Sequence, residues 1–288
     1  MTVQSDKEVK MESESNYQKN KIAYSGVEGA FAHIVAKKTF PEDHLIAHTS
    51  FEEAYNAVLS GECLHAVLPI ENSYTGEVGQ VIDLMVNGDL IVDDVIPYKI
   101  SQNLLGIKGA KSSDIKKVIS HSQALAQCEG YIRKHGFEEM LAPNTAMAAK
   151  EVSKLGDIHL AAIASKETAE LYGLDILHAN INEMADNTTR FAVFSRDYKK
   201  HKENEKHINF ILIFTVNNVA GALSKAISVI SDYGFNMKVL RSRPSHQKAW
   251  EYYFYVEAEG NIDTPEGKEM QKRLTEVCNL VKIAGKYT

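Results

Sequence analysis

The residues best equipped for chemistry begin with Asn187-Thr188-Thr189-Arg190-Phe191. Two threonine hydroxyls and a guanidinium open the apolar, β-favouring run Phe191-Ala192-Val193-Phe194. Polar groups thus stand at the entry to a buried strand, where open α/β sheets place their ligands. Up to residue 200 the arginines are Arg133, Arg190 and Arg196, and of these only Arg190 follows a pair of hydroxyl residues. A planar five-donor fork there suits a carboxylate; helix capping or a surface ion pair is the other use for it. Glu71-Asn72-Ser73 gathers an acid, an amide and a hydroxyl in one short connection after Pro69, for which turn formation and capping are alternative explanations. Ser120, Gln123 and Gln127 stand at i, i+3 and i+7 and share one helical face, with Ala124, Cys128 and Tyr131 on another. That pattern suits a helix lining a cleft, or a merely solvated face. Ser120-His121 lacks the surroundings of a nucleophile elbow, and adjacent helical residues do not face each other, so hydrolase chemistry is set aside.

The elements that must position these groups follow from periodicity and turn signals. A strand at 21–24 leads through Ser25-Gly26-Val27-Glu28-Gly29 into a helix at 30–40 with Phe31, Ile34 and Val35 on one face. Two glycines fall short of the three in a dinucleotide fingerprint, so plain turn chemistry is expected there. A strand at 45–47, a helix from a Ser50/Glu53 capping box to about 60, a strand at 65–68 ending at Pro69, a polar loop at 70–76, a helix at 78–86 and a strand at 90–96 complete one lobe. From 99 the pattern restarts with strands at 104–107 and 118–119 around a short helix capped at Ser112 or Ser113. The polar-striped helix, one capped by Asn144-Thr145-Ala146, a strand at 160–164, a helix capped by Ser165 and a return segment at 175–186 follow. Strand-helix alternation predicts parallel sheets in two similar α/β lobes with a cleft between them. Beyond a charged linker at 197–206, the order is strand 208–216, helix 220–233, strands 235–243 and 250–258, a helix opened by Thr264-Pro265 and a strand at 281–284. This βαββαβ order is ferredoxin-like.

A chain of 288 residues, 44% hydrophobic, has room for two cores. With 32 basic and 38 acidic side chains, net charge −6 and no block of one sign, neither nucleic acid nor an anionic membrane is predicted as partner. Cys63, Cys128 and Cys278 are odd in number and dispersed, which predicts free thiols, a reducing, cytoplasmic compartment and no metal or redox site. Residues 1–20 are polar, without a signal-peptide core, and are expected to be disordered or a cloning remnant. No segment reaches the ~18 apolar residues of a membrane span.

Taken together, Gly26 to Phe31, Pro69-Ile70-Glu71-Asn72-Ser73, Ser120-His121 with Gln123-Ala124-Leu125 and Gln127-Cys128, Asn144-Thr145-Ala146 and Thr189-Arg190-Phe191 resemble the prephenate dehydratase family over residues 21–198. Gly221-Ala222-Leu223 and Ser242-Arg243-Pro244 resemble an ACT regulatory domain over 207–288. The resemblance implies a two-lobed, periplasmic-binding-protein-like catalytic domain with a ferredoxin-like ACT domain. The implied reaction turns prephenate into phenylpyruvate, water and carbon dioxide in phenylalanine biosynthesis, without a cofactor, in a homodimer or homotetramer. Thr189 would donate to the departing hydroxyl, Arg190 would hold the side-chain carboxylate, and Glu71 or His121 would be the general acid if there is one. Asn72, Ser73, Ser120, His121, Gln123, Gln127, Asn144, Thr145 and Phe191 would surround the substrate. Gly221, Ala222, Leu223, Ser242, Arg243 and Pro244 would hold phenylalanine as effector between subunits. This chain departs from the family pattern at Val27 and Ala30 (proline and threonine in relatives), Ser122 (proline), Ala220 (proline) and Arg241 (glutamate). Twenty polar residues are too few for the chorismate mutase segment that precedes some relatives. The competing readings are arogenate dehydratase, acting on the amino form of the substrate, and a non-catalytic sensor of aromatic metabolites.

Overall fold

The structure is a computed structural model that describes residues 20–184, 186–197, 208–244 and 251–288. The first lobe is built from β1 (Lys21–Ser25), α1 (Phe31–Thr39), β2 (His44–His48), α2 (Phe51–Leu59), β3 (His65–Asn72), the two-residue β4 (Gly76–Glu77), α3 (Gly79–Asn87) and β5 (Ile91–Lys99). β1 pairs in parallel with both β2 and β3. At the start of α2 the Ser50 hydroxyl accepts from Glu53 N–H at 3.1 Å, while the Glu53 carboxylate reaches back to Thr49 instead of Ser50, at 2.9 and 2.7 Å. The capping box therefore closes one residue early.

The second lobe comprises β6 (Asn103–Gly106), a 3-10 turn (Ser112–Asp114), β7 (Lys117–Ser120), α4 (Ser122–Gln127), α5 (Glu129–His135), β8 (Glu138–Leu141), α6 (Thr145–Leu155), β9 (Leu160–Ala164), α7 (Lys166–Tyr172) and β10 (Asp175–His178). Its sheet runs β10-β6-β9-β7-β8, with β7 parallel to its neighbours and β6 antiparallel to its own. β8 and β10 are additions to the outline read from sequence. Both are edge strands whose side chains stay largely exposed, so neither carries the in-out alternation that marks a strand.

β11 (Thr188–Ser195) then returns to the first lobe and lies antiparallel between β3 and β5, so this sheet is mixed and not parallel throughout. A strand arriving from the other lobe enters from the opposite end. The two crossings are tied by Ile100 N–H to Asn187 C=O and Ile181 N–H to Gln102 C=O, both 2.8 Å.

The C-terminal unit is β12 (Asn209–Thr215), α8 (Ala222–Asp232), β13 (Asn236–Pro244), β14 (Tyr252–Glu259), α9 (Pro265–Val277) and β15 (Leu280–Tyr287), with sheet order β13-β14-β12-β15. This is the ferredoxin-like arrangement. Along β12, Phe210, Leu212 and Phe214 enter a core with α8 and α9, while Ile211 and Ile213 enter the core of the first lobe beside Leu68, Val92 and Phe194. The alternation expected of a strand at 208–216 is therefore absent: burial on both faces makes Phe210 to Phe214 an unbroken apolar run. β15 pairs with β5 at Gly285 and Val92, so one sheet runs through both units. A Cβ on Gly285 would lie 2.6 Å from both the Cβ and the carbonyl oxygen of Val92, which leaves room for glycine alone. The polar start at 1–20 lies outside the described residues apart from Asn20, and the linker at 197–206 apart from Asp197. Among the described residues no helix is long and apolar enough to cross a membrane. All three cysteines are free, and burial pushes the Cys128 thiol up to about 12.

Candidate active site

β3 does not stop at Pro69 but continues to Asn72. The ladder with β11 slips at this point: Arg190 pairs with Glu71 and Phe191 with Pro69, which leaves Ile70 as the extra residue of a bulge that accommodates the proline. Strand alternation then sorts the neighbours. Thr189, Phe191 and Asn72 line a cavity between the lobes, whereas Arg190 and Glu71 are not part of its wall.

The cavity measures about 390 Å³ and has apolar walls from Phe31, Phe51, Pro69, Val78, Ile100 and Phe191. Its polar groups are Ser25, Asn72, Thr75, Gln102, His121, Gln123, Gln127, Asn144, Thr145 and Thr189. Among the described lining residues none is Lys, Arg, Asp or Glu, and His121 is the one titratable side chain.

Asn72 organises the polar side. Its Oδ1 accepts from the N–H groups of Tyr74 (2.9 Å) and Thr75 (3.0 Å), which fixes the amide orientation. The Nδ2 group must then point the other way, and it donates to Asn187 Oδ1 at 2.7 Å and Thr189 Oγ1 at 2.9 Å. With its oxygen accepting, Thr189 keeps its own proton free to donate to a ligand. Asn187 passes the chain on to Gln127 Oε1 at 3.0 Å, and Gln123 Nε2 donates to Thr75 Oγ1 at 3.0 Å, so α4 of the second lobe is bonded to the strand ends of the first. His121 Nδ1 accepts from Gln123 N–H at 3.3 Å, so a neutral ring carries its proton on Nε2.

Two further features suit a polar ligand. The N-cap of α1, Ala30, offers no side-chain acceptor, and Ala30, Phe31 and Ala32 border the cavity, so the first N–H groups of that helix form an anion-favouring rim. Gln102 is 3% exposed, and its Oε1 has no hydrogen-bond partner among the described residues. A buried acceptor left unpaired is costly, which points to a donor on the ligand.

Four expectations are corrected. Arg190 does not face the cavity: its guanidinium binds Glu71 (3.0 Å), Glu257 (2.6 Å) and the Tyr287 hydroxyl (3.0 Å) at the junction with the C-terminal unit. Glu71 is a doubly paired carboxylate, held by Arg190 and Arg241 on the same side, and is not placed to protonate anything in the cavity. Ser120 is fully buried at the end of β7, with its hydroxyl donated to Ile163 C=O at 2.6 Å; α4 begins only at Ser122, so Gln123 and Gln127 share a face without it. Ser73 lies outside the cavity wall and ties its loop to β11, accepting from Thr188 N–H at 2.9 Å. The remaining residues named from sequence, Asn72, His121, Gln123, Gln127, Asn144, Thr145, Thr189 and Phe191, line one cavity. Ser25, Thr75, Gln102 and Asn187 were missed as site residues; of these Asn187 stood beside Thr189 and Thr75 in the polar connection after Pro69.

In the C-terminal unit Gly221, at φ +82°, precedes α8, and Leu223 joins Val216, Asn217, Val219, Phe254 and Asn279 around a cavity of about 710 Å³. Ser242, Arg243 and Pro244 end the edge strand β13, and Arg243 turns to the first lobe, bonding Glu77 at 2.5 Å and Asp83 at 3.1 and 3.2 Å. Of the six residues expected to hold an effector, Leu223 alone lines that cavity.

Comparison with known proteins by sequence and by structure covers nearly the whole chain. The family model described as "Prephenate dehydratase" matches residues 22–199, and the "ACT domain" model matches 210–275. The chain is 32% identical over 289 residues to "Arogenate dehydratase/prephenate dehydratase 1, chloroplastic" of Arabidopsis thaliana, covering 96% of this chain and 74% of the relative. To "Prephenate dehydratase" of Lactococcus lactis subsp. cremoris it is 32% identical over 277 residues, covering 93% and 97%. Two solved structures superimpose with TM-scores of 0.84 over 93% of this chain. One is described as "GqqA- a novel type of quorum quenching acylases", at 30% identity and 97% coverage of that chain. The other is a prephenate dehydratase in complex with L-Phe from Arthrobacter aurescens, at 24% identity and 89% coverage.

Proposed function

The chain belongs to the prephenate dehydratase family, and from that premise we propose that the cavity between the lobes carries out the elimination with Thr189 as its central donor. The protein is a carbon–oxygen lyase that converts prephenate to phenylpyruvate, water and carbon dioxide. Loss of both fragments makes the ring aromatic, so thermodynamic drive resides in the substrate. The enzyme must assist a poor leaving group and fix its geometry without stabilising the departing carboxylate in the ground state.

The arrangement around Asn72 is the observation that carries this reading. Because the Thr189 oxygen already accepts from Asn72, its O–H is the group left to donate to the departing hydroxyl. That is preorganised hydrogen-bonding assistance; a threonine hydroxyl is too weak an acid for full proton delivery. Gln102 lines the cavity, and its Oε1, closed off in the free protein and short of a donor, would turn inward to orient the same hydroxyl. The second carboxylate takes the N–H rim of α1 and the Thr145 hydroxyl, while the departing one lies against the apolar wall. His121 Nε2–H is the remaining candidate for a proton donor.

Arogenate carries an ammonium where prephenate has an oxo group, and no carboxylate lines the described cavity to receive it. The oxo form is therefore the better substrate. The acyl cleavage named for the quorum-quenching structure calls for a base beside the nucleophile, whereas the partner of Thr189 is an amide. The C-terminal unit binds phenylalanine as effector at a contact between subunits of a homodimer or homotetramer, for which the L-Phe complex of the Arthrobacter protein gives support. Free thiols fit a cytoplasmic setting. Incubating the purified protein with prephenate and, separately, arogenate tests the reaction: phenylpyruvate should accumulate faster than phenylalanine, and inertness toward both overturns the enzyme reading in favour of a sensor.

A further inference from the structure

On the reading that Thr189 assists the leaving group, we propose that Arg190 is a positioning residue: its ion pairs with Glu71 and Glu257 hold the bulged stretch of β3 and β11 so that Thr189 and Asn72 face the cavity, making the ferredoxin-like unit a working part of the active site.

The donors on both terminal nitrogens of Arg190 are engaged. Nη1 donates to Glu71 Oε2 and Glu257 Oε1, each at 3.0 Å, and Nη2 donates to Glu257 Oε2 at 2.6 Å and Tyr287 Oη at 3.0 Å. Glu257 is 2% exposed and also accepts from the hydroxyls of Tyr255 (2.6 Å) and Tyr287. Burial pushes its carboxyl up, yet Arg190 and the two tyrosines hold it below the usual carboxylate range, so the pair is charged. Glu71 in turn accepts from Arg241 of β13, the position where the family pattern has a glutamate. An acid there would face Glu71; an arginine closes the cluster.

Register makes this cluster relevant to chemistry. Thr189 pairs with Asn72 and Arg190 with Glu71, on adjacent rungs of two strands at a bulge. Bulges re-aim side chains, so whatever clamps their back face sets the direction of the front. The clamp belongs to the C-terminal unit, and α3 extends it. Arg243 binds Glu77 and Asp83, the Tyr253 hydroxyl donates to Asp83 at 2.6 Å, and Lys282 Nζ donates to the carbonyls of Met85 (2.9 Å), Val86 (3.3 Å) and Gly88 at the C-terminal end of the helix. Val78, just before α3, lines the cavity. A Cβ on Gly79 would lie 2.5 Å from Arg243 Nη1, so the approach is as close as that at Gly285.

Steady-state kinetics on the full chain with prephenate test the idea. Glu257→Gln touches nothing in the cavity, yet is expected to lower kcat roughly tenfold or more while KM stays within about threefold of wild type. On a Thr189→Ala background the same substitution should have little further effect, because the group being aimed is gone. A folded Glu257→Gln protein with kcat within about twofold of wild type overturns the inference, as does a full-sized effect on the Thr189→Ala background, which marks a merely structural role. Where Glu257→Gln fails to fold, Tyr287→Phe removes one hydroxyl only and should lower kcat about threefold with KM unmoved; an unchanged kcat counts against the proposal. A wild-type chain inert toward both prephenate and arogenate removes the reaction and this inference together, whereas an active wild type matched by Glu257→Gln removes this inference alone.

Discussion

Thr189 and Arg190 are neighbours in the chain and act on opposite faces of β11. The threonine oxygen accepts from Asn72 at 2.9 Å at the cavity, and the guanidinium holds Glu257 at 2.6 Å at the junction with the C-terminal unit. One strand therefore carries a cavity-lining hydroxyl on one side and an interdomain anchor on the other. The same division separates Asn72 from Glu71 on β3. Cavity wall and domain docking are thus one residue apart, which makes their mutational signatures separable.

For Thr189 the signature is in turnover. Thr189→Ala removes one preorganised donor, along with the γ-methyl, and should lower kcat by about 10²-fold or more with the fold intact, because the backbone ladder of β11 is unaffected. Thr189→Ser keeps the hydroxyl and should stay within about tenfold of wild type, the loss reflecting a freer rotamer. Stopped or steady-state assays of phenylpyruvate release decide it, and near-normal turnover of the alanine variant removes the role.

The contrast between Thr189 and Arg190 also marks how far the sequence could be read. Hydroxyl and amide residues next to Pro69 and before Phe191 pointed to the cavity, and the two-lobed order with a ferredoxin-like unit followed from periodicity and turns. The guanidinium misled because an arginine beside two threonines looks like a carboxylate anchor when residue type is weighed without strand period. Alternation puts Thr189 and Phe191 on one face and Arg190 on the other. Its true partners, Glu257 and Tyr287, lie 67 and 97 residues away, and no local pattern announces them. Ser120 is a related case: its i, i+3, i+7 spacing with Gln123 and Gln127 mimics a helical face, but it is the last residue of a strand and the helix starts at Ser122. β8 and β10 escaped because edge strands with exposed side chains carry no hydrophobic period.

Asn72 supports a sharper test by reversing a single donor. In Asn72→Asp the shape is kept, but no N–H remains to give to Thr189 or Asn187. The threonine proton then turns toward the new carboxylate instead of the ligand, and the added negative charge opposes a dianionic substrate. A fall in kcat/KM of about 10²-fold or more is expected, larger than for a neutral loss of contact. Activity within about threefold of wild type would show that the amide does not set the direction of the Thr189 hydroxyl.

The docking cluster has a pH signature. The Glu257 carboxyl is held below its ordinary value of 4.5, so it binds fewer protons in the folded than in the unfolded state near that pH. Its contribution to stability is fully present above about 4.5 and is lost as pH falls through the lower folded value. Urea unfolding of wild type and Glu257→Gln should differ by a constant amount from neutral pH down to that point, and the difference should shrink only on further acidification. A gap that closes while pH is still above the ordinary carboxylate range would mean that the Arg190–Glu257 pair is not what the substitution removes.

Gln102 predicts opposite changes in stability and binding from one substitution. Its Oε1 is buried at the cavity wall with no partner among the described residues, so the empty protein bears the cost of an unmade hydrogen bond. Replacing it with methionine, which has a similar reach and no strong polar group, should raise unfolding stability by about 1–2 kcal/mol in the absence of ligand. The same change deprives the substrate hydroxyl of its acceptor, so KM for prephenate should rise by about tenfold, with kcat also lowered if the hydroxyl is no longer turned toward Thr189. Thermal melts and steady-state kinetics on Gln102→Met read the two effects separately. A variant that is no more stable than wild type, or one that binds prephenate equally well, would show that this acceptor is satisfied in the free protein and that the ligand hydroxyl is oriented by other groups.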